Sequence, residues 1–276
     1  MTAIKIKNLS FSYGKKKIFK DFNLKINSGE VTLITGINGV GKSTLLRLMA
    51  GVLRPAGGEI IYNENMGRDP RRKIGFISDN PSLYEGLKVS RAIDFHKSVY
   101  GLSSYDDALI KRTKIERNQK IKELSMGQRV IFHLSLILSA APRVLLIDEI
   151  IHSIDIYLRG VFLRELIKLL AEQKITVVFV NLNFRDIENM VDRVILLREG
   201  ETAVDEKIDA LKAKVKKVIC REPPQGVPVL SCIDYTEQSE FFIYPFREEY
   251  REQIAGKVAD LDLTAIVSAF IGGEYV

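Results

Sequence analysis

Apolar and polar positions alternate over residues 4–9 and again over 19–26, the period of a strand with one buried face. Tyr13-Gly14 supplies a turn between them. Short apolar runs at 30–35, 73–77, 144–148, 176–181 and 193–197 predict further strands, and Pro55-Ala-Gly-Gly58 turns into another at 59–62. Helical spacing covers 43–50, which closes on Gly51, and 157–172. It also covers 125–138, with Phe132, Leu134, Leu136, Ile137 and Leu138 for packing, and the charged stretch 88–123. Strands that alternate with helices imply βαβ units around a parallel sheet, an α/β fold. After about Gly200 the pattern changes. Strands are expected at 216–220, 229–235 and 240–244, and helices at 248–258 and 263–271, a small α+β appendage. The expected division is 1–205 and 206–276, with a helical subdomain over about 80–140.

One strand ends in an unexpected way. Val144-Leu-Leu-Ile147 reads as buried on both faces, yet it runs directly into Asp148 and Glu149. A buried carboxylate costs several kcal/mol (an order-of-magnitude figure) unless a cation or hydrogen bonds compensate.

The glycine-rich stretch GINGVGKST (36–44) answers that problem. It fits G-x-x-x-x-G-K-[ST], follows an apolar strand and opens a helix, which is the setting of a phosphate-binding loop. Gly36, Asn38, Gly39 and Gly41 let backbone N–H groups turn inward as an anion nest, backed by the positive end of the helix. Lys42 places a charge on the β- and γ-phosphates, Ser43 offers a hydroxyl to Mg²⁺, and Thr44 completes the motif. Strand 144–148 is expected to run beside the phosphate-loop strand, so that its carboxyl end meets the nucleotide. Asp148 then holds Mg²⁺, and Glu149 acts as general base towards the attacking water.

Charge and composition narrow the class without deciding it. Of 276 residues, 46% are hydrophobic and 28% charged, as in a globular protein. The 41 basic against 35 acidic residues give +6, and the clusters at Lys15–Lys17, 71–73 and 212–217 are scattered. They read as solvated faces rather than a nucleic-acid site. No apolar run approaches the ~20 residues of a membrane-spanning helix. Residues 1–7 lack a signal-peptide core. Cys220 and Cys232 have no metal-ligand spacing, sit in apolar stretches, and are expected to be buried thiols.

A phosphate loop followed by an acidic strand end occurs in kinases, GTPases, helicases and transporter ATPases. The discriminating stretch is LSMGQR (124–129), which resembles the Leu-Ser-Gly-Gly-Gln signature of ATP-binding cassette (ABC) ATPases. FSYG (11–14) resembles the place where that family sets an aromatic, here Tyr13, under adenine. LLIDEIIHSID (145–155) resembles its acidic strand and the loop ending in Asp155, and DRVILLREG (192–200) its closing strand. The resemblance covers residues 1 to about 205. It implies ATP and Mg²⁺ as ligands, and a head-to-tail dimer in which Ser125, Gly127 and Gln128 cap the nucleotide of a second ATPase subunit. It also implies a transmembrane permease partner at the inner face of the cell membrane.

Three positions depart from the family. Met126 replaces the first signature glycine. Asp79 stands where the family carries a glutamine that touches Mg²⁺, and still offers oxygen to the ion. Leu182, between Asn181 and Asn183, stands where a histidine contacts the γ-phosphate. The acid at 79, SLYEGLKV (82–89) and the tail resemble the exporters and permease-linked ATPases for drugs, antibiotics and lipids. Of the histidines, His133 is expected to pack on the signature helix, His96 to lie on the surface, and His152 to serve in a loop. Two other readings stay open: a catalytically weak nucleotide-gated subunit paired with a competent one, and a soluble cassette protein acting on DNA, ribosomes or cofactor assembly.

Overall fold

The structure is a computed structural model that describes residues 1–78, 80–150, 154–173, 175–180, 186–254 and 256–272. The chain forms two compact units, one of Met1–Thr32 and Gly41–Asn181, the other of Leu33–Val40 and Leu182–Val276.

In the first unit, β1 (Thr2–Tyr13) and β2 (Lys16–Asn27) form an antiparallel hairpin. The alternation seen in the sequence is the cause: Ile4, Ile6, Leu9, Phe22, Leu24 and Ile26 go inward, and the lysines between them outward. β3 (Val31–Thr35) begins in this unit, and the loop after it leads to α1 (Lys42–Met49). β4 (Gly57–Tyr62) pairs with β1 to complete a sheet of order β2-β1-β4.

β5 (Ile74–Ser78) precedes the helical segments α2 (Val89–Tyr100), α3 (Ala108–Arg112) and α4 (Met126–Ser139). The charged stretch expected to be helical over 88–123 is thus broken. Gly101, left-handed at φ 69°, ends α2, and α3 is a single short turn. Val89, Ile93, Ile110, Ile121, Leu124 and Phe132 pack these helices around a shared apolar cluster. Then follow β6 (Val144–Asp148), α5 (Ile156–Gln173) and β7 (Thr176–Val180). β5, β6 and β7 run parallel and in register, with Ser78 opposite Asp148 and Asp148 opposite Val180, so the neighbours of 144–148 are β5 and β7 and not, as expected, the phosphate-loop strand β3. Every residue of β6 and β7 is buried, which is why both read as unbroken apolar runs.

In the second unit, the rest of β3 belongs with β8 (Arg193–Arg198) and the antiparallel β9 (Glu201–Lys207). After α6 (Ile208–Lys214), strands β10 (Lys216–Cys220), β11 (Val229–Asp234), β12 (Ser239–Ile243) and β13 (Lys257–Ala259) form a sheet of order β11-β12-β10-β13, and α7 (Leu263–Ile271) follows. Val218, Phe241, Ile243, Phe246 and Ile254 are its core.

Several expectations are corrected here. Residues 248–258 are not a helix: a 3-10 turn covers Glu248–Glu252, and β13 then adds to the edge of β10. A Cβ on Gly256 would meet the Ile219 carbonyl oxygen at 2.6 Å, so the approach of the two strands requires glycine there. Cys232 is exposed and Cys220 half-buried, because both sit on a small sheet that one helix cannot cover on both faces. His96 is half-buried rather than on the surface, stacked on Tyr100 at 4.5 Å between ring centroids. The lysines of 212–217 are ion-paired: Lys212 with Glu188, Lys214 with Glu206, Lys216 with Asp260 and Lys217 with Glu240. Lys216 is itself buried. Structural pairing accounts for this cluster.

Candidate functional site

The loop before α1 is built from backbone. Gly41 caps the helix at φ 113°, a left-handed conformation closed to most side chains. A Cβ there would sit 2.6 Å from Ile18 and 2.8 Å from Phe19, so glycine also lets the loop press onto β2. Gly36, in the second unit, lies at φ 142° and approaches the Leu197 carbonyl oxygen so closely that a Cβ would come within 2.3 Å. Asn38 and Gly39 are exposed on the same loop. Lys42 and Thr44 are buried, at 4% and 8% exposure.

The acidic strand end meets the start of this helix. Ser43 Oγ donates to Oδ1 of Asp148 at 2.8 Å, and Asp148 is 4% exposed. Glu149 follows at φ 49°, a left-handed turn for a non-glycine residue, with its backbone N–H donating to the Val180 carbonyl at 2.9 Å. Burial pushes the Lys42 ammonium below the ordinary lysine range, and the carboxylates of Glu149 and then Asp148 pull it back up. Lys42 and Asp148, both buried, and the half-buried Ser43 and Glu149 therefore form one group in which a single ammonium faces two carboxylates. Tyr13 stands at the end of β1, 46% exposed, its ring edge-on to Phe11 at 4.9 Å.

The signature residues gather elsewhere in the first unit. Ser125 caps α4: its Oγ accepts from the Gln128 N–H at 3.2 Å, and its own N–H donates to Gln128 Oε1 at 3.1 Å. Gly127 packs against α5 so tightly that a Cβ would sit 2.7 Å from Leu158. Asp155 Oδ1 accepts from the Leu158 N–H at 3.0 Å. Ser125, Gln128 and Asp155 line one cavity of about 610 Å³. Arg112, Thr113, Lys114, Tyr157 and Leu158 complete its lining, and the sequence reading did not single them out. Tyr157 follows Asp155 by two positions and was within reach of that motif; α3 carries no motif at all. Asp79, His152, Asn181, Leu182 and Asn183 lie outside the described residues.

A glycine loop that delivers a lysine and a serine to a buried aspartate at the end of a parallel strand defines a phosphate-loop nucleoside triphosphatase. The comparisons with known proteins narrow the class. A family model described as ABC transporter matches residues 19–152. An ABC transporter ATP-binding protein of Methanocaldococcus jannaschii is 29% identical over 82% of this chain and 89% of its own length. The energy-coupling factor transporter ATP-binding protein EcfA1 of Oenococcus oeni is 30% identical, over 76% of this chain and 81% of that protein. Among solved structures, the ATP-binding cassette MJ0796, seen as a dimer in a post-hydrolysis state with ADP and Pi, aligns at a TM-score of 0.62 with 26% identity. That alignment covers 74% of this chain and 98% of the cassette.

The chain belongs to the ABC transporter family, as an ATP-binding subunit with ATPase activity. Its fold is that class's α/β architecture, with a β-subdomain, a parallel-sheet core, a helical signature region and an α+β tail. Among the described residues, no helix is long and apolar enough to cross a membrane.

Proposed function

We propose that this chain couples ATP binding and hydrolysis, in a head-to-tail dimer with a second cassette subunit, to transport by a separate transmembrane permease subunit. It then sits at the inner face of the membrane through that permease. One observation carries the dimer reading: Ser125, Gln128 and Asp155 share a cavity that no residue of the phosphate loop lines. A site with signature groups and no phosphate loop of its own suits the nucleotide of another chain. The dimeric state of MJ0796 supports this, and so does the transporter assignment of EcfA1.

Within the reading, residues take the following roles. Gly36, Asn38, Gly39, Gly41 and Thr44 wrap the phosphates with backbone N–H groups. Lys42 sets its charge on the β- and γ-phosphates, where burial leaves it poorly screened. Tyr13 packs on the adenine. Glu149 takes the proton of the attacking water. Ser125, Gly127 and Gln128 cap the γ-phosphate in trans, with Asp155 beside them. A hydroxyl bonded to a buried carboxylate is the hard-oxygen set that suits Mg²⁺, so Ser43 and Asp148 fit the ion, with Asp79 as a further oxygen. Bound there, Mg²⁺ neutralises phosphate charge. Residues 1–205 form the ATP-binding domain, and 206–276 an appendage that contacts partners.

The test is Glu149→Gln with Mg²⁺ and ATP, followed by size exclusion. The expected result is a dimer that persists because ATP is bound and not cleaved. A chain that stays monomeric at saturating ATP overturns the dimer reading. Co-purification with a multispanning subunit from detergent-solubilised membranes tests the permease partnership. A second reading, slow hydrolysis, is favoured by Leu182 in the histidine position. Losing an electrostatic stabiliser of this kind costs on the order of 10²-fold in rate. Leu182→His is expected to raise turnover while leaving ATP affinity unchanged.

A further inference from the structure

We propose that Lys114 is a nucleotide-contacting residue, which places its ammonium on the phosphate chain of the ATP held by the partner subunit. The inference rests on the head-to-tail reading above.

The cavity beside the signature helix, at about 610 Å³, is of the size that takes a small-molecule ligand. Ser125 brings the N-terminus of the 14-residue α4 to it. Two cations line it as well. Arg112 is engaged with Glu165 at 2.8 Å, whereas Lys114 is exposed and makes no ion pair among the described residues. The carboxylate in the lining, Asp155, has Oδ1 occupied by the Leu158 N–H. Lys114 therefore brings to the cavity, beside a helix start, a positive charge with no carboxylate at ion-pairing distance among the described residues, which suits a polyanion.

The loop that carries Lys114 is held in place rather than loose. Gln128 Nε2 donates to the Thr113 carbonyl at 3.3 Å, and the Tyr157 hydroxyl donates to the Arg112 carbonyl at 3.2 Å. Thr113 is buried, with its hydroxyl donating back to Leu109 O at 3.0 Å. The signature glutamine and the helix after Asp155 thus fix the backbone on either side of α3's end. Lys114 itself sits at φ 56°, a left-handed position where glycine would be relaxed and a lysine is strained. That conformation closes α3, with the Ile115 N–H donating to the Ile110 carbonyl at 2.9 Å and the Lys114 N–H to the Lys111 carbonyl at 3.1 Å, and it leaves the side chain exposed at the cavity.

The competing explanation is an ordinary solvated lysine, and the two differ in what substitution does. The experiment uses the full chain in the Glu149→Gln background. It measures the ATP concentration at half-maximal dimer by analytical ultracentrifugation, alongside ATP affinity at a protein concentration too low for dimers. A hydrogen bond to a charged group corresponds to about tenfold or more in binding. Lys114→Ala should raise the ATP midpoint about tenfold, and Lys114→Glu further, because it opposes a polyanion. Lys114→Arg should retain most of the dimer. Lys114→Gly relieves the backbone strain, so it should melt at the same or a higher temperature and still dimerise poorly. Monomer affinity should stay the same throughout.

If Glu149→Gln dimerises and Lys114→Glu leaves the midpoint unmoved, the role of Lys114 is overturned and the dimer reading stands. If Glu149→Gln never dimerises, both fall together. A loss of dimer in Lys114→Glu accompanied by a lower melting temperature, with Lys114→Gly behaving as the parent, identifies a structural role instead and overturns the proposal.

Discussion

Ser43 and Asp148, 105 residues apart in sequence, share a 2.8 Å hydrogen bond between a hydroxyl and a buried carboxylate. The contact joins the first turn of α1 to the last residue of β6, so the start of that helix and the acidic strand end are one site. Ser43→Ala removes the donor, and with it the oxygen proposed to reach Mg²⁺, while the backbone of the loop stays intact. Hydrolysis in that variant should require a several-fold higher Mg²⁺ concentration, with ATP-dependent rate against free Mg²⁺ as the measurement. An unchanged Mg²⁺ dependence would remove Ser43 from the ion's coordination.

Lys42 supplies the one side-chain cation within the loop motif. Lys42→Ala should weaken ATP binding by about 10²-fold, since a charged hydrogen bond contributes roughly 1.5–3 kcal/mol and its replacement leaves phosphate charge uncompensated. Calorimetric titration checks this, and circular dichroism should show the fold unchanged. A normal affinity would place the nucleotide elsewhere.

His133 carries an acid-sensitive element of the helical region. Its Nδ1 is buried with no hydrogen-bond partner among the described residues. Burial, and after it the charge of nearby His96, push the His133 imidazole down to about 4. The folded state then binds fewer protons than the unfolded one. Stability is present above the ordinary histidine value of about 6.5 and is lost as pH falls towards 4. His96, pushed down by burial, acts in the same direction. Urea unfolding at several pH values should show a shallower loss for His133→Gln across this window. A parallel curve for the two proteins would assign the acid sensitivity to other groups.

A chain ended after Glu206 tests the proposed boundary. It loses Lys207 opposite Arg193 at the end of β9, the ion pair of Lys212 with Glu188, and buried Ile208 and Leu211. The shortened protein should still bind ATP, because the loop, α1 and β6 precede the cut. Its melting temperature should fall by several degrees, at about 2–4 °C per kcal/mol for a chain of this size. Insoluble protein would mean that the tail shares the core of the ATP-binding domain, and would move the boundary.

Residues 144–148 show how much of this protein is local. Four aliphatic residues between a proline turn and two acids leave one economical answer, a buried strand with its charge at the end, and the structure has that strand. The phosphate loop was legible for the same reason: a nest of backbone N–H groups needs glycines at fixed spacing within one loop. Strand alternation in β1 and β2, and the cap of α4 by Ser125 and Gln128, are likewise set by neighbours in sequence.

Other features depended on partners far along the chain. Residues 257–259 pair with β10, and that sheet edge outweighs the helical appearance of 248–258. His96 left the surface because Tyr100 stacks on it. β9 and α6 lack strong periodicity of their own; β9 exists because β8 offers it an antiparallel edge. The signature cavity is the clearest case. Its motif residues were plain in the sequence, but Lys114 and Arg112 reach it only because Tyr157, Gln128 and Glu165 pin the end of α3. The sequence by itself determined which groups can do phosphate chemistry, since those depend on residue type at short spacing. Only the tertiary structure decided which distant groups share a cavity, because that depends on packing between helices whose contacts leave no periodic trace.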